Sequence, residues 1–145
     1  MHFLRASLFL FVFVITGCGV TERLEEVKPL IEDFQALYNA RSFSAIYDDM
    51  VHPELKADIG IETFNKNVSD IRNLTGERIS GNRTGFNWKS MAREGTIVVV
   101  TFETKFINGL GHETFTFKSV EGKLKLLGYN FQASEGFNAN QADSA

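Results

Sequence analysis

Residues 95–132, GTIVVVTFETKFINGLGHETFTFKSVEGKLKLLGYNFQ, decide the fold of this chain. Their first third, residues 95–107, is rich in β-branched and aromatic side chains, a composition that suits a half-buried pleated surface. Val98, Val100, Phe102, Thr104 and Phe106 share one parity; Ile97, Val99, Thr101, Glu103 and Lys105 share the other. Successive strand side chains point to opposite faces, so the more apolar first set is assigned to the core. Asn108-Gly109 follows, the favoured pair for a two-residue type I′ turn because both positions need positive φ. That turn sets Phe106 opposite Gly111, Thr104 opposite Glu113, Phe102 opposite Phe115 and Val100 opposite Phe117. Rings then meet across strands on the inner face, each pair adding roughly 0.2–1 kcal/mol. Glu121-Gly122 supplies a second turn, which sets Ser119 opposite Leu124, Phe117 opposite Leu126, Phe115 opposite Gly128 and Glu113 opposite Asn130. It also sets Lys118 opposite Lys125, a like-charge contact that speaks mildly against this register.

Upstream, residues 77–88 alternate weakly and read as an edge strand with a bulge or break near Gly81. Residues 60–75 carry Ile61, Phe64, Val68, Ile71 and Leu74 on one helical stripe, with Gly76 placed to end it. Residues 42–50 read as a short helix capped by Ser42 that buries Phe43, Ile46 and Tyr47; His52-Pro53 breaks it, and Pro53 opens one more turn. Residues 21–41 place Leu24, Val27, Ile31, Phe34 and Tyr38 at helical spacing, with Thr21 as N-cap and acidic residues in the first turns. Pro29 is expected to kink that helix or to mark its true first turn. From Gln132 onward the chain is polar and small and reads as a frayed tail. The sum is an α+β fold, N-terminal helices packed on one face of a curved four-stranded antiparallel sheet.

A length of 145 residues predicts one domain. Residues 1–17 hold Arg5, an apolar run at 8–15, and small residues before Cys18, the only cysteine. The run is too short for a transmembrane helix and has the build of a signal-peptide core. Ile15-Thr16-Gly17-Cys18 resembles the lipobox of bacterial lipoproteins, which implies cleavage before Cys18 and lipidation of its thiol. The alternatives are a buried N-terminal helix and an ordinary signal peptide beside an incidental cysteine. The expected layout is a leader over 1–17, the lipidated cysteine with a short tether over 18–21, a folded domain over 22–134 and a flexible tail over 135–145. Removing Arg5 with the leader leaves 14 of the 15 basic side chains against 18 acidic ones, a mild net acidity. Such a patternless acidic surface argues against nucleic acid and against electrostatic docking on anionic lipid. Membrane attachment is therefore expected through acyl chains, at about 0.8 kcal/mol per buried CH₂. Gly19 rather than aspartate follows the cysteine; in a Gram-negative source the resemblance implies the outer membrane, facing the periplasm. Three N-x-S/T matches, at Asn67, Asn73 and Asn82, are taken as chance in such a protein.

The stretches Tyr38-Asn39-Ala40, Phe43 to Tyr47 and His52-Pro53-Glu54-Leu55, with the strands through Phe106, Phe117 and Tyr129, carry a further likeness. On them the chain resembles the cone-shaped nuclear-transport-factor-2-like (cystatin-like) superfamily, and within it small lipoprotein domains of unknown function. Leu124 departs from the aromatic often found there. The superfamily holds enzymes, binding modules and scaffolds alike, so the resemblance implies fold more than activity.

Candidate chemistry is sparse. The register places Thr104, Glu113 and Asn130 side by side on the inner face, where a carboxylate stands either in water at the mouth of the cone or desolvated and available for proton transfer. The resemblance permits an isomerase or dehydratase on that trio; the structural or solvated role is favoured. Tyr47, Phe102, Phe115 and Phe117 are the expected ligand-pocket residues. Tyr47, Asp48, Asp49 and His52 match no metal-ligand spacing and read as capping and turn residues, so no metal and no cofactor is assigned. Val99, Ile107, Leu127, Tyr129 and Phe131 are expected on the outer sheet face, an apolar patch for a homodimer or another envelope protein unless the tail covers it through Phe137. The favoured function is a non-enzymatic, membrane-anchored binding or assembly module; the alternative is a small acid–base enzyme using Glu113 with Asn130 or a tyrosine.

Overall fold

The computed structural model describes residues 18–138. The leader with its lipobox (1–17), the Cys18 thiol and the end of the tail (139–145) lie outside the described residues. Helices α1 (Cys18–Asn39), α2 (Phe43–Ala45), α3 (Pro53–Asp58) and α4 (Ile61–Thr75) precede strands β1 (Arg78–Met91), β2 (Gly95–Phe106), β3 (Gly109–Val120) and β4 (Lys123–Ala133). The strands form one antiparallel sheet in sequence order, curved and unclosed, and the fold is α+β. None of the described helices is long and apolar enough to cross a membrane.

The alternation read in β2 sets which face is buried. Val98, Val100, Thr104 and Phe106 are all buried, together with Phe115 and Phe117 of β3 and Leu124 and Leu126 of β4. Against them α1 lays Val27, Ile31, Phe34 and Tyr38, one residue per helical turn, and α4 adds Phe64 and Val68. Aromatic rings fill the middle: Phe115 meets Phe34 edge-on at 5.1 Å and Tyr129 at 5.1 Å, and Phe34 lies 4.7 Å from Tyr129.

α1 is helical from Cys18, so residues 18–21 belong to the helix rather than to an extended tether, and Thr21 lies inside it. Pro29 also lies inside this helix. It sits on the exposed side, where the carbonyl four residues back loses its N–H partner but keeps access to water. In α4 the buried stripe is turned from the expected one. Arg72 and Thr75 are buried while Ile61 and Leu74 are 37% and 36% exposed. The phenol of Tyr38 decides this: its hydroxyl pairs with Thr75 Oγ1 at 2.7 Å, and the Arg72 guanidinium lies 5.9 Å over its ring.

Both hairpins correct the expected register. The β2–β3 loop is Ile107-Asn108, with Phe106 opposite Gly109 and Phe102 opposite Glu113, two residues away from the pairing an Asn108-Gly109 turn would give. Asn108 has no positive φ, which a type I′ turn there requires. Docking overrides the local preference: Asn108 donates its backbone N–H to Thr75 O and its side-chain amide to Leu74 O, both at the end of α4. A shift of two keeps every side chain on its face, which is why the burial pattern still matches.

The β3–β4 turn is Glu121-Gly122 as expected, with φ of 50° and 76°. Lys118 does lie opposite Lys125, but each finds its own partner: Lys118 bonds Glu54, and Lys125 bonds the Asp49 carbonyl. After Phe117–Leu126 the register shifts, so Phe115 faces Tyr129 and Glu113 faces Phe131. The extra residue, Leu127, is a β-bulge, and it exchanges the two faces of everything beyond it. Tyr129 and Phe131 thus turn inward against the core, and Asn130 is exposed. The predicted outer patch loses both aromatics.

β1 carries two register shifts, at Arg78/Ser80 and Arg83/Gly85, on either side of Gly81. A single π-helical turn, Ile46–Met50, follows α2. It delivers Val51 to a parallel bridge with Leu126, and His52 donates its N–H to Leu126 O. His52 Nδ1 then accepts the Glu54 N–H and caps α3. Tyr47 donates to Ile59 O at 3.1 Å and packs on Phe64. The predicted tail does not fray at Gln132: β4 runs through Ala133, and a turn at Ser134–Phe137 lays Phe137 against Phe131.

Candidate functional site

Glu113 is the organising charge of the interior. It is 1% exposed and stands on the inner face of β3, so an ionised carboxylate there is stable only if its lone pairs are occupied. Three donors take three of the roughly four acceptor sites of such a group. Oε2 accepts from Arg78 Nε at 2.8 Å and from Thr104 Oγ1 at 2.6 Å, and Oε1 accepts from Tyr129 OH at 2.9 Å. Thr104 reaches Glu113 across the β2–β3 pair as the sequence suggested, though diagonally. Asn130, the third member of the expected trio, is on the opposite face, and Tyr129 holds its place because of the Leu127 bulge.

Arg78 is the member the sequence did not reveal. The Asn39 side chain at the end of α1 clamps its backbone, accepting the Arg78 N–H at 2.9 Å and donating to the Arg78 carbonyl at 3.0 Å. An amide that pairs with both backbone groups acts as a one-residue strand and fixes where β1 begins. The guanidinium then runs inward with the Phe102 ring 5.7 Å away. Gly81 lies close on another side: a Cβ there would collide with Arg78 Nη2. Gly81→Ala is expected to push the guanidinium off Glu113 at a cost of about 1–3 kcal/mol, read as a lower urea midpoint. An unchanged midpoint would mean that the guanidinium tip yields to the new methyl without releasing Glu113.

Two phenols belong to the same interior. Burial pushes Tyr38 up to about 12, and burial, aided by the Glu113 charge, raises Tyr129 well above its ordinary value. Both are therefore neutral at physiological pH, and Tyr129 donates to Glu113. A raised folded-state value means the native chain holds protons that the unfolded chain releases. The stability this contributes is whole below pH ~10 and is lost as pH rises through about 12 for Tyr38, on the order of 2–3 kcal/mol for that residue. In an alkaline titration, two of the three tyrosines are expected to ionise only together with the loss of circular dichroism. Ionisation of all three in a folded chain would contradict this burial.

Beside this network lies a cleft of ≈ 480 Å³ between α1 and strands β1 and β2. Leu24, Val27 and Ile31 of α1 and Val100 and Phe102 of β2 wall it, and Arg78, which bonds Glu113 through Nε, also lines it. Glu25, Lys28, Glu32 and Arg83 line its exposed rim. Of the four expected pocket residues, Phe102 alone lines this cleft. Phe115 and Phe117 are sealed in the core, and Tyr47 lies beneath α4. Among the described residues there is no group of three or more His, Cys, Asp or Glu side chains able to hold a metal. No known protein family matches the chain, and no curated protein matches it.

Proposed function

We propose that this chain is a membrane-anchored lipoprotein of the bacterial envelope, whose domain is a non-enzymatic binding module of the cone-shaped superfamily it resembles. The anchor rests on the Ile15-Thr16-Gly17-Cys18 motif. The non-enzymatic reading rests on one observation: the buried Glu113 carboxylate is taken up by Arg78, Thr104 and Tyr129, whereas the apolar cleft beside it is open at its rim. A general base needs a lone pair aimed at the proton it removes, and the three donors leave Glu113 little to offer.

Two measurements test this. Metabolic labelling with palmitate in a bacterial host is expected to mark the wild-type chain and not Cys18→Ala; an unlabelled wild type overturns the anchor. Carbodiimide coupling of an amine to the folded chain is expected to modify the rim residues Glu25 and Glu32 and to spare Glu113. Ready modification of Glu113 would favour the competing reading, acid–base catalysis at that carboxylate.

A further inference from the structure

We infer that the cleft under α1 takes an uncharged, elongated apolar small molecule with a carbonyl-type hydrogen-bond acceptor, the acceptor lying at Arg78. The inference rests on the binding-module reading and gives it a ligand class. The volume, ≈ 480 Å³, falls within the ~300–1,000 Å³ of small-molecule sites. The lining runs along α1 from Thr21 to Gln35, about 20 Å of helix, so the space is long rather than round. Its walls are aliphatic and aromatic, which sets the apolar body of the ligand.

Arg78 sets the polar end. Its side chain is 10% exposed, and among the described residues it makes one side-chain hydrogen bond, through Nε, while Nη1 and Nη2 make none. Arginine offers donors only, so its partner in the cleft is an acceptor. Charge then decides between a neutral and an anionic acceptor. Lys28, Arg78 and Arg83 are balanced by Glu25, Glu32 and, behind Arg78, Glu113. A ligand carboxylate at Arg78 would be desolvated within a few ångströms of the Glu113 carboxylate, and two like charges at that range disfavour one another. A ligand cation would meet the guanidinium itself. A ketone, ester or amide oxygen avoids both costs.

Benzophenone, an uncharged diaryl ketone that photolabels neighbouring C–H groups, is a suitable probe on the full chain in the membranes of its expression host. Adducts mapped by peptide mass spectrometry are expected on the α1 segment around Leu24 and Ile31 and at Phe102, and to saturate. Leu24→Trp, a half-buried wall position outside the Glu113 network, is expected to fill the cleft and cut labelling about tenfold or more, a loss of about 1.4 kcal/mol in affinity. Gln35→Trp does the same from the other end should the first variant fold poorly. Benzophenone-4-carboxylate is expected to label about tenfold less well. Adducts scattered over the surface, or unchanged in both variants, would overturn the site; equal or stronger labelling by the carboxylate would overturn the ligand class. Palmitate labelling reads the anchor and carbodiimide coupling at Glu113 reads the non-enzymatic role, so the ligand class can fail while the proposed function stands.

Discussion

Arg78→Met is expected to lower the free energy of unfolding by about 3–5 kcal/mol, because it leaves Glu113 charged, buried and without the guanidinium that pairs with it. That loss is a large part of the roughly 5–15 kcal/mol that holds a domain of this kind together. The measurement is urea denaturation of the variant beside wild type. The double variant Arg78→Met, Glu113→Met is the control: with both charges gone, the desolvation cost goes with them, and part of the stability is expected to return. Recovery is incomplete because Thr104 and Tyr129 then lack their acceptor. A double variant less stable than Arg78→Met would show that the pair is not the electrostatic unit drawn here.

Phe115→Ala is expected to cost a similar 3–5 kcal/mol, for a different reason. Phe115 is fully buried, and its ring is met by Phe34, Phe102, Phe117 and Tyr129. Truncation leaves a void bordered by rings on α1 and on three strands, which cannot all close in together. The expected fall in thermal midpoint is roughly 10–20 °C. Loss of under about 1 kcal/mol would place the centre of the core elsewhere. The two variants also differ in character: Arg78→Met acts through charge and is partly rescued by a second substitution, whereas Phe115→Ala acts through volume.

Face assignment in β2 and β3 was legible in the sequence because alternation over ten residues survives any even register shift. Pairing was less so. Asn108-Gly109 carries a strong local preference for a turn, yet Asn108 docks on the end of α4, and three-dimensional contacts of that kind leave no trace in neighbouring residues. The Leu127 bulge was likewise invisible, since Leu-Leu-Gly-Tyr reads equally well with or without an extra residue. One inserted position was enough to replace Asn130 by Tyr129 at Glu113. The site was therefore half readable: Thr104 and Glu113 follow from parity. Arg78, sitting at a bulged strand start and held by Asn39 from 39 residues away, follows from nothing local. In α4 the apolar pattern pointed to Leu74, but the hydroxyl of Tyr38 drew Thr75 and Arg72 inward instead.

The bridge between Val51 and Leu126 has a consequence for how copies of this chain behave at high concentration. Among the described residues the sheet order leaves β1 and β4 without a second strand neighbour, and bare rows of N–H and C=O groups recruit strands from other molecules. On β4 the bridge and the His52 N–H to Leu126 carbonyl bond occupy part of that row and block lateral growth. On β1 the two register shifts distort the row instead, and Arg83 and Lys89 add charge along it. Each flank is thus guarded against fibril-like stacking, one by a plug and the other by irregularity.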